Sequence, residues 1–297
     1  MSLNRAVVIT VANQKGGVGK TTTTMNLGVA LARAGKRVLL IDSDPQANLT
    51  SYLGVTPGED AFTDLLTLDQ VYLSKRPVDA EARKLYITST GSGVDLIASD
   101  KALSGVEYYL FSRADRELVL SHFLNGVSPH YDFILIDTPP SLNLLTLNAL
   151  CTSDHVLIPV QPEFFSLEGI VKIRESIENI RDRWNEKLTI LGVLFTQVSQ
   201  RRKLTQEVID MLRTEMGELV LETMIHENAA VTESSGHARS VIEYDRASRG
   251  AKDYLAAAKE VLARLSERLS ATKTDSQKDA IAASQASSKV SSSEANV

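Results

Sequence analysis

Val7-Val8-Ile9-Thr10-Val11-Ala12-Asn13-Gln14-Lys15-Gly16-Gly17-Val18-Gly19-Lys20-Thr21-Thr22 is the stretch that decides the architecture. A β-branched run, Val7 to Val11, reads as a buried strand, and Thr21 to Ala34 reads as the helix that follows. Between them lies a glycine-rich loop, which is the context a phosphate-binding loop requires. Gly16, Gly17 and Gly19, with Val18, let backbone N–H groups turn inward around phosphate oxygens where a side chain would clash. The helix beginning near Lys20 adds its positive dipole end. Lys20 is placed to reach the β and γ phosphates, the Thr21 hydroxyl to hold Mg²⁺, and Thr22 to complete the cradle. The ordinary pattern has a glycine where this chain has Gln14, and an extra lysine, Lys15, stands just inside the loop.

Working outward, Arg37 to Ile41, Val94 to Ala98, Phe133 to Ile136, Val156 to Val160 and Ile190 to Phe195 are further short apolar runs. Strands apolar on both faces and separated by helical periodicity imply an α/β, doubly wound, mostly parallel sheet with helices on both sides. The last helical pattern runs from about Ser248 to Ser270. After it, 13 of the 27 residues from Ala271 to Val297 are Ser or Ala. Such a segment buries too little surface to offset its ordering entropy, so the expected organisation is one doubly wound domain over 1–270 and a disordered tail over 271–297.

Of 297 residues, 43% are hydrophobic, enough for a sizeable core, and 32 Lys and Arg against 37 Asp and Glu leave a net charge of −5. That balance argues against a broadly basic coat for nucleic acid, though not against a local patch. One cysteine, Cys151, excludes a disulfide framework and a cysteine-ligated cluster within one chain. With no apolar run of 18 residues and no secretory signal, the expectation is a cytoplasmic protein that does not span a membrane.

Two acidic stretches belong with the loop. Phe133-Ile134-Leu135-Ile136-Asp137 is an apolar strand ending in a carboxylate, which beside a phosphate loop supports Mg²⁺; capping of the following turn is the alternative. Asp42-Ser43-Asp44-Pro45-Gln46 ends the second strand, at the sheet edge where ligands of such folds bind. Its carboxylates either order water around Mg²⁺ and the phosphates or form an Asx-turn before Pro45.

Together, Lys15 to Thr22, Asp42 to Gln46 and Asp137-Thr138-Pro139-Pro140-Ser141 resemble the ParA/Soj group of deviant Walker ATPases. The likeness continues through Pro159-Val160-Gln161-Pro162-Glu163, Ser166-Leu167-Glu168-Gly169 and Tyr244-Asp245-Arg246-Ala247-Ser248-Arg249-Gly250-Ala251. The resemblance implies ATP and Mg²⁺ as ligands, slow partner-stimulated hydrolysis and an ATP-sandwich homodimer. Lys15 then matches the signature lysine that reaches the partner subunit's phosphates, and Gly16 the glycine permitting that approach. Lys20 and Thr21 match the phosphate lysine and Mg²⁺ ligand, Asp44 the switch carboxylate needed for hydrolysis, and Asp137 the Walker B aspartate. Pro162, Glu163 and Phe164 lie in the kind of loop expected near the adenine.

The same resemblance implies nonspecific binding of double-stranded DNA in the ATP state, location on the nucleoid, and a ParB-type activator or cargo adaptor. Arg201, Arg202 and Lys203 match a DNA-contacting family position, and Arg239, Arg246, Arg249 and Lys252 add convergent charge. The chain departs from the family in having His226-Glu227-Asn228 and Ala230 where Pro-Arg-Asn and a further arginine are usual. Two other classes share the loop. A MinD-like positioning ATPase needs a lysine-rich amphipathic C-terminus, which 271–297 lacks, and a metabolic ligase would form product independently of DNA.

Overall fold

The strands occupy the expected places. In the computed structural model, which describes residues 5–57, 62–67, 85–163, 166–199 and 203–270, the chain runs Val7–Val11 (β1), Lys20–Arg33 (α1), Val38–Asp42 (β2), Asn48–Tyr52 (α2) and Phe62–Thr67 (α3). Thr88–Ser89 (β3), Asp95–Ile97 (β4), Leu103–Phe111 (α4), Val119–Val127 (α5), Phe133–Asp137 (β5) and Leu144–Thr152 (α6) follow. His155–Val160 (β6), Ser166–Arg183 (α7), Thr189–Phe195 (β7), Lys203–Met216 (α8), Ala229–Gly236 (α9) and Val241–Tyr244 (α10) complete the named elements, and a last helix (α11) covers 249–270.

The sheet order is β3-β4-β2-β5-β1-β6-β7. Every neighbouring pair is parallel except β3 with β4. All five residues of β2 and of β5 are buried, as strands covered on both faces must be. Leu39, Ile41, Ile134 and Ile136 face a cluster with Phe62, Leu103, Phe123 and Leu145. Leu40 points to the opposite face, where a Cβ on Gly28 of α1 would stand 2.6 Å from Leu40 Cδ2, so the helix lies close against the sheet. A second cluster joins Val156, Ile158, Val193 and Phe195 to Ile173, Ile177, Leu212 and Met216. Helices therefore cover both faces, and the doubly wound reading holds.

The differences from the sequence reading are local. The two-residue antiparallel edge strand β3 is too short to leave a periodic signal. Ser248 is not the first residue of the last helix; its Oγ accepts from Ala251 N at 3.2 Å and caps it. The chain divides into two units, 1–258 and 259–297. In the second unit, residues 259–270 are helical and Arg264 Nη2 lies 3.0 Å from Glu260 Oε1. The segment expected to be a disordered tail, 271–297, lies outside the described residues.

Candidate nucleotide site

Because β1, β2 and β5 are parallel neighbours, their C-terminal ends open on one edge, with Asp42 opposite Asp137 and Asp137 opposite Val11 in register. The loop that leaves β1 there is held from below. Asn13 Oδ1 accepts from Lys15 N at 2.9 Å while Asn13 Nδ2 donates to Pro159 O at 2.7 Å. Thr196 Oγ1 donates to Val18 O at 2.8 Å, and Gln197 Nε2 to Gly17 O at 2.7 Å. These anchors consume loop carbonyls. Gly17 and Gly19 have φ of 76° and 83°, in the left-handed region where a side chain is strained. Gly19 begins α1 with no side-chain cap, and the first turn of α1 holds no acidic residue. A helix start so arranged is suited to an anion.

The two loop lysines differ. Lys20 is only 7% exposed, donates to Lys15 O at 3.3 Å, and has its pKa lowered by burial, against the opposing pull of Asp137 and Asp44. Lys15 is exposed and pairs with Glu163, itself half exposed. Neither Lys15 nor Glu163 is enclosed.

The three carboxylates also have distinct tasks. Asp42 Oδ2 accepts from Thr50 N at 2.8 Å and Thr50 Oγ1 at 2.7 Å, and its Oδ1 from Asp44 N at 3.2 Å. Burial pushes its pKa up to about 6 in spite of these bonds. Asp42 thus builds the turn. Asp44, beyond it, accepts from Gln46 N at 2.9 Å through Oδ1, and Ser99 Oγ donates to its carbonyl at 2.8 Å. The Asx-turn is present, and Asp44 stays at the site edge beside Lys20. Asp137 is fully buried; burial, then Asp42, raises its pKa well above the usual carboxylate range, against the Thr21 hydroxyl and Lys20. Its Oδ1 takes a 3.4 Å bond from Thr24 Oγ1, but its Oδ2 has no hydrogen-bond partner. A buried carboxylate oxygen left without a donor, beside the Thr21 hydroxyl, fits a divalent cation.

A cavity of about 400 Å³ opens beside Gly19 and Thr22, and was not legible in the sequence. Asn228, His226 and Tyr254 line it. Asn228 Oδ1 is buried without a partner, and His226 is fixed by Asp253 Oδ2, 2.9 Å from both its N and its Nδ1. Pro162 and Glu163 do not line this cavity, and Phe164 lies outside the described residues. The hint in the sequence was Asn228 itself, the one residue of the family's Pro-Arg-Asn retained here.

Of the candidate DNA contacts, Arg239, Arg246, Arg249 and Lys252 are exposed. Arg201 and Arg202 lie outside the described residues, and Lys203 begins α8.

Residues 6–190 match a family model described as an AAA domain. The chain is 40% identical over 270 residues to the chromosome partitioning protein ParA of Caulobacter vibrioides, covering 90% of this chain and 98% of the relative. It is 41% identical over 258 residues to the sporulation initiation inhibitor protein Soj of Bacillus subtilis, covering 86% and 98%. A crystal structure described as cobyrinic acid a,c-diamide synthase from Mycobacterium smegmatis, with bound ADP and magnesium, superposes with a TM-score of 0.72. That likeness is 32% identical and covers 86% of this chain and 94% of the other. On the loop, the carboxylates around it and this extent of identity, the chain belongs to the ParA/Soj family of partitioning ATPases.

Proposed function

We propose that the chain is an ATP-dependent dimerising switch that binds DNA nonspecifically in its ATP state and positions a replicon or other cargo. A ParB-type partner stimulates the hydrolysis of ATP by water to ADP and phosphate. The observation that carries this reading is the contrast between the two loop lysines. Lys20 is buried toward the phosphate cradle, whereas Lys15 is exposed outside it on Glu163, where exchange of that partner would let it serve the nucleotide of a second copy. Dimerisation and nucleotide state then become one coupled equilibrium.

The nucleotide's phosphates sit on the N–H groups of Gly16 to Thr22 and against Lys20, and its base in the cavity beside Gly19 and Thr22. Asn228 Oδ1 supplies an acceptor for an exocyclic amine, as adenine carries. Thr21 and Asp137 would hold Mg²⁺, which would supply neutralisation of the phosphate charge. Asp44, fixed by its own turn, orients the attacking water, so that the chain contributes positioning more than covalent chemistry.

For DNA, Arg246 and Arg249 stand at the start of α11 with Lys252 one turn on. Cations there run against the helix dipole, an arrangement that a phosphate on the helix start relieves. Arg239 is a further exposed cation, and each of these charges is doubled in a dimer.

The test is binding to nonspecific duplex DNA with ATP, ADP or no nucleotide, by the wild type, Asp44→Ala and Lys20→Ala. ATP-dependent binding that persists in Asp44→Ala and disappears in Lys20→Ala is expected. No binding despite intact ATP-dependent dimerisation would overturn the DNA step. A ligase reading draws on the mycobacterial structural likeness and predicts a carboxylic-acid-dependent product. The greater identity to partitioning proteins favours the switch. Among the described residues no helix is long and apolar enough to cross a membrane.

A further inference from the structure

The turn that carries Asp44 is closed into a ring of buried hydrogen bonds. Thr50 Oγ1 donates to Asp42 Oδ2 at 2.7 Å and accepts from Ser99 N at 2.9 Å. Ser99 Oγ donates to Asp44 O at 2.8 Å, and Asp44 N donates to Asp42 Oδ1 at 3.2 Å. Asp42, Asp44, Thr50 and Ser99 are all buried, so the ring holds Asp44 and the short helix α2 as one body. Their joint is Ala47, at φ 53°, a left-handed conformation that a residue with a side chain keeps only where its surroundings impose it.

Two residues beyond Thr50, about 200° around the helix, Tyr52 ends α2 as one wall of the cavity beside Gly19 and Thr22. α2 packs against α1, whose first turn carries Thr22. A nucleotide with its phosphates on the loop and its base in the cavity therefore meets this body twice, at Asp44 and at Tyr52. A tyrosine ring offers a broad face to a purine or a ribose. We infer that Tyr52 is a positioning residue for hydrolysis: the nucleoside against its ring steadies α2 and, through Thr50 and Ser99, holds Asp44 in place for the attacking water. This rests on the nucleotide reading above and adds that the base end of the ligand sets the rate at the phosphate end. A displacement of about 1 Å at such a group costs on the order of 100-fold in rate, so slight slack in α2 suffices.

The test compares ATP with inorganic tripolyphosphate, which offers the loop its phosphates but puts nothing against Tyr52. Hydrogen exchange of the full chain, with Mg²⁺ and each ligand at saturation, is read over 15–22 and 48–53 in the wild type, Tyr52→Ala and Tyr52→Phe. In the wild type both ligands are expected to slow exchange over 15–22, and ATP to slow it over 48–53 at least about threefold more than tripolyphosphate does. Tyr52→Ala should abolish that difference, keep the tripolyphosphate protection of 15–22, and lower the saturated rate of ATP hydrolysis at least about fivefold. Tyr52→Phe, which keeps the ring, should behave as the wild type. Equal protection of 48–53 by the two ligands in the wild type would overturn the inference and leave the nucleotide reading standing, as would ATP-specific protection surviving in Tyr52→Ala. Loss of the tripolyphosphate protection in Tyr52→Ala would overturn it by assigning Tyr52 to the fold alone. Failure of ATP to protect 15–22 in the wild type would overturn the nucleotide reading, and the inference with it.

Discussion

At the scale of single residues, the proposed roles separate groups that bind from groups that act. Asp44 is held by Gln46 N rather than by Lys20, so its removal leaves the loop intact. Asp44→Ala is expected to lower phosphate release about 100-fold or more while ATP affinity stays near wild type, a split that single-turnover and binding measurements resolve. Asn228 has the opposite profile. Its unpartnered buried Oδ1 costs the free protein on the order of 1–3 kcal/mol, so Asn228→Ala should raise the melting temperature without nucleotide and weaken ATP binding, read by calorimetry. The loop was legible in sequence because its residues are contiguous and lie between a strand and a helix. The cavity was not, because Gly19 and Asn228 converge from distant parts of the chain and no local periodicity records it. Glu163, in the loop expected near the adenine, pairs with Lys15.

At the scale of elements, α1 ties the phosphate loop to the C-terminal region. Asn26 Oδ1 accepts from Val241 N at 2.7 Å, and Thr23 Oγ1 lies 3.4 Å from the buried Tyr254 hydroxyl. Burial raises the Tyr254 pKa, keeping the hydroxyl neutral. Asn26→Ala strips the first N–H of α10 of its acceptor in a buried place and should cost about 1–3 kcal/mol in urea unfolding. Tyr254→Phe, losing one long bond, should cost about 1 kcal/mol or less. The strands were readable because each is a continuous apolar run bounded by turn residues, with β2 and β5 the clearest. The edge strand β3 escaped because two exposed residues carry no pattern, and the short α2 because its shape depends on Ala47 at φ 53° and on Asp42 bonding Thr50.

At the scale of the whole molecule, the sheet forces Asp42 and Asp137 side by side at the ends of adjacent strands. Both have raised pKa values, chiefly through burial, so the folded chain holds protons that the unfolded chain releases. Stability is then greatest where both carboxyls are protonated, and falls as pH rises from the ordinary carboxylate range through about 6. Chemical denaturation without Mg²⁺ should show a loss on the order of 1–3 kcal/mol between pH 4.5 and pH 7.5, with Asp42→Asn flattening the curve. Added Mg²⁺ with nucleotide should restore the loss at pH 7.5.

The contact between Lys15 and Glu163 has a bearing on assembly. In the proposed dimer, Lys15 leaves one anion in its own subunit to take up another across the interface. The number of ion pairs made by Lys15 is unchanged by that exchange, so monovalent salt weakens both sides of the equilibrium together. Assembly should therefore tolerate ionic strength better than the charge of a triphosphate alone implies, and Glu163→Gln should make it more sensitive to salt.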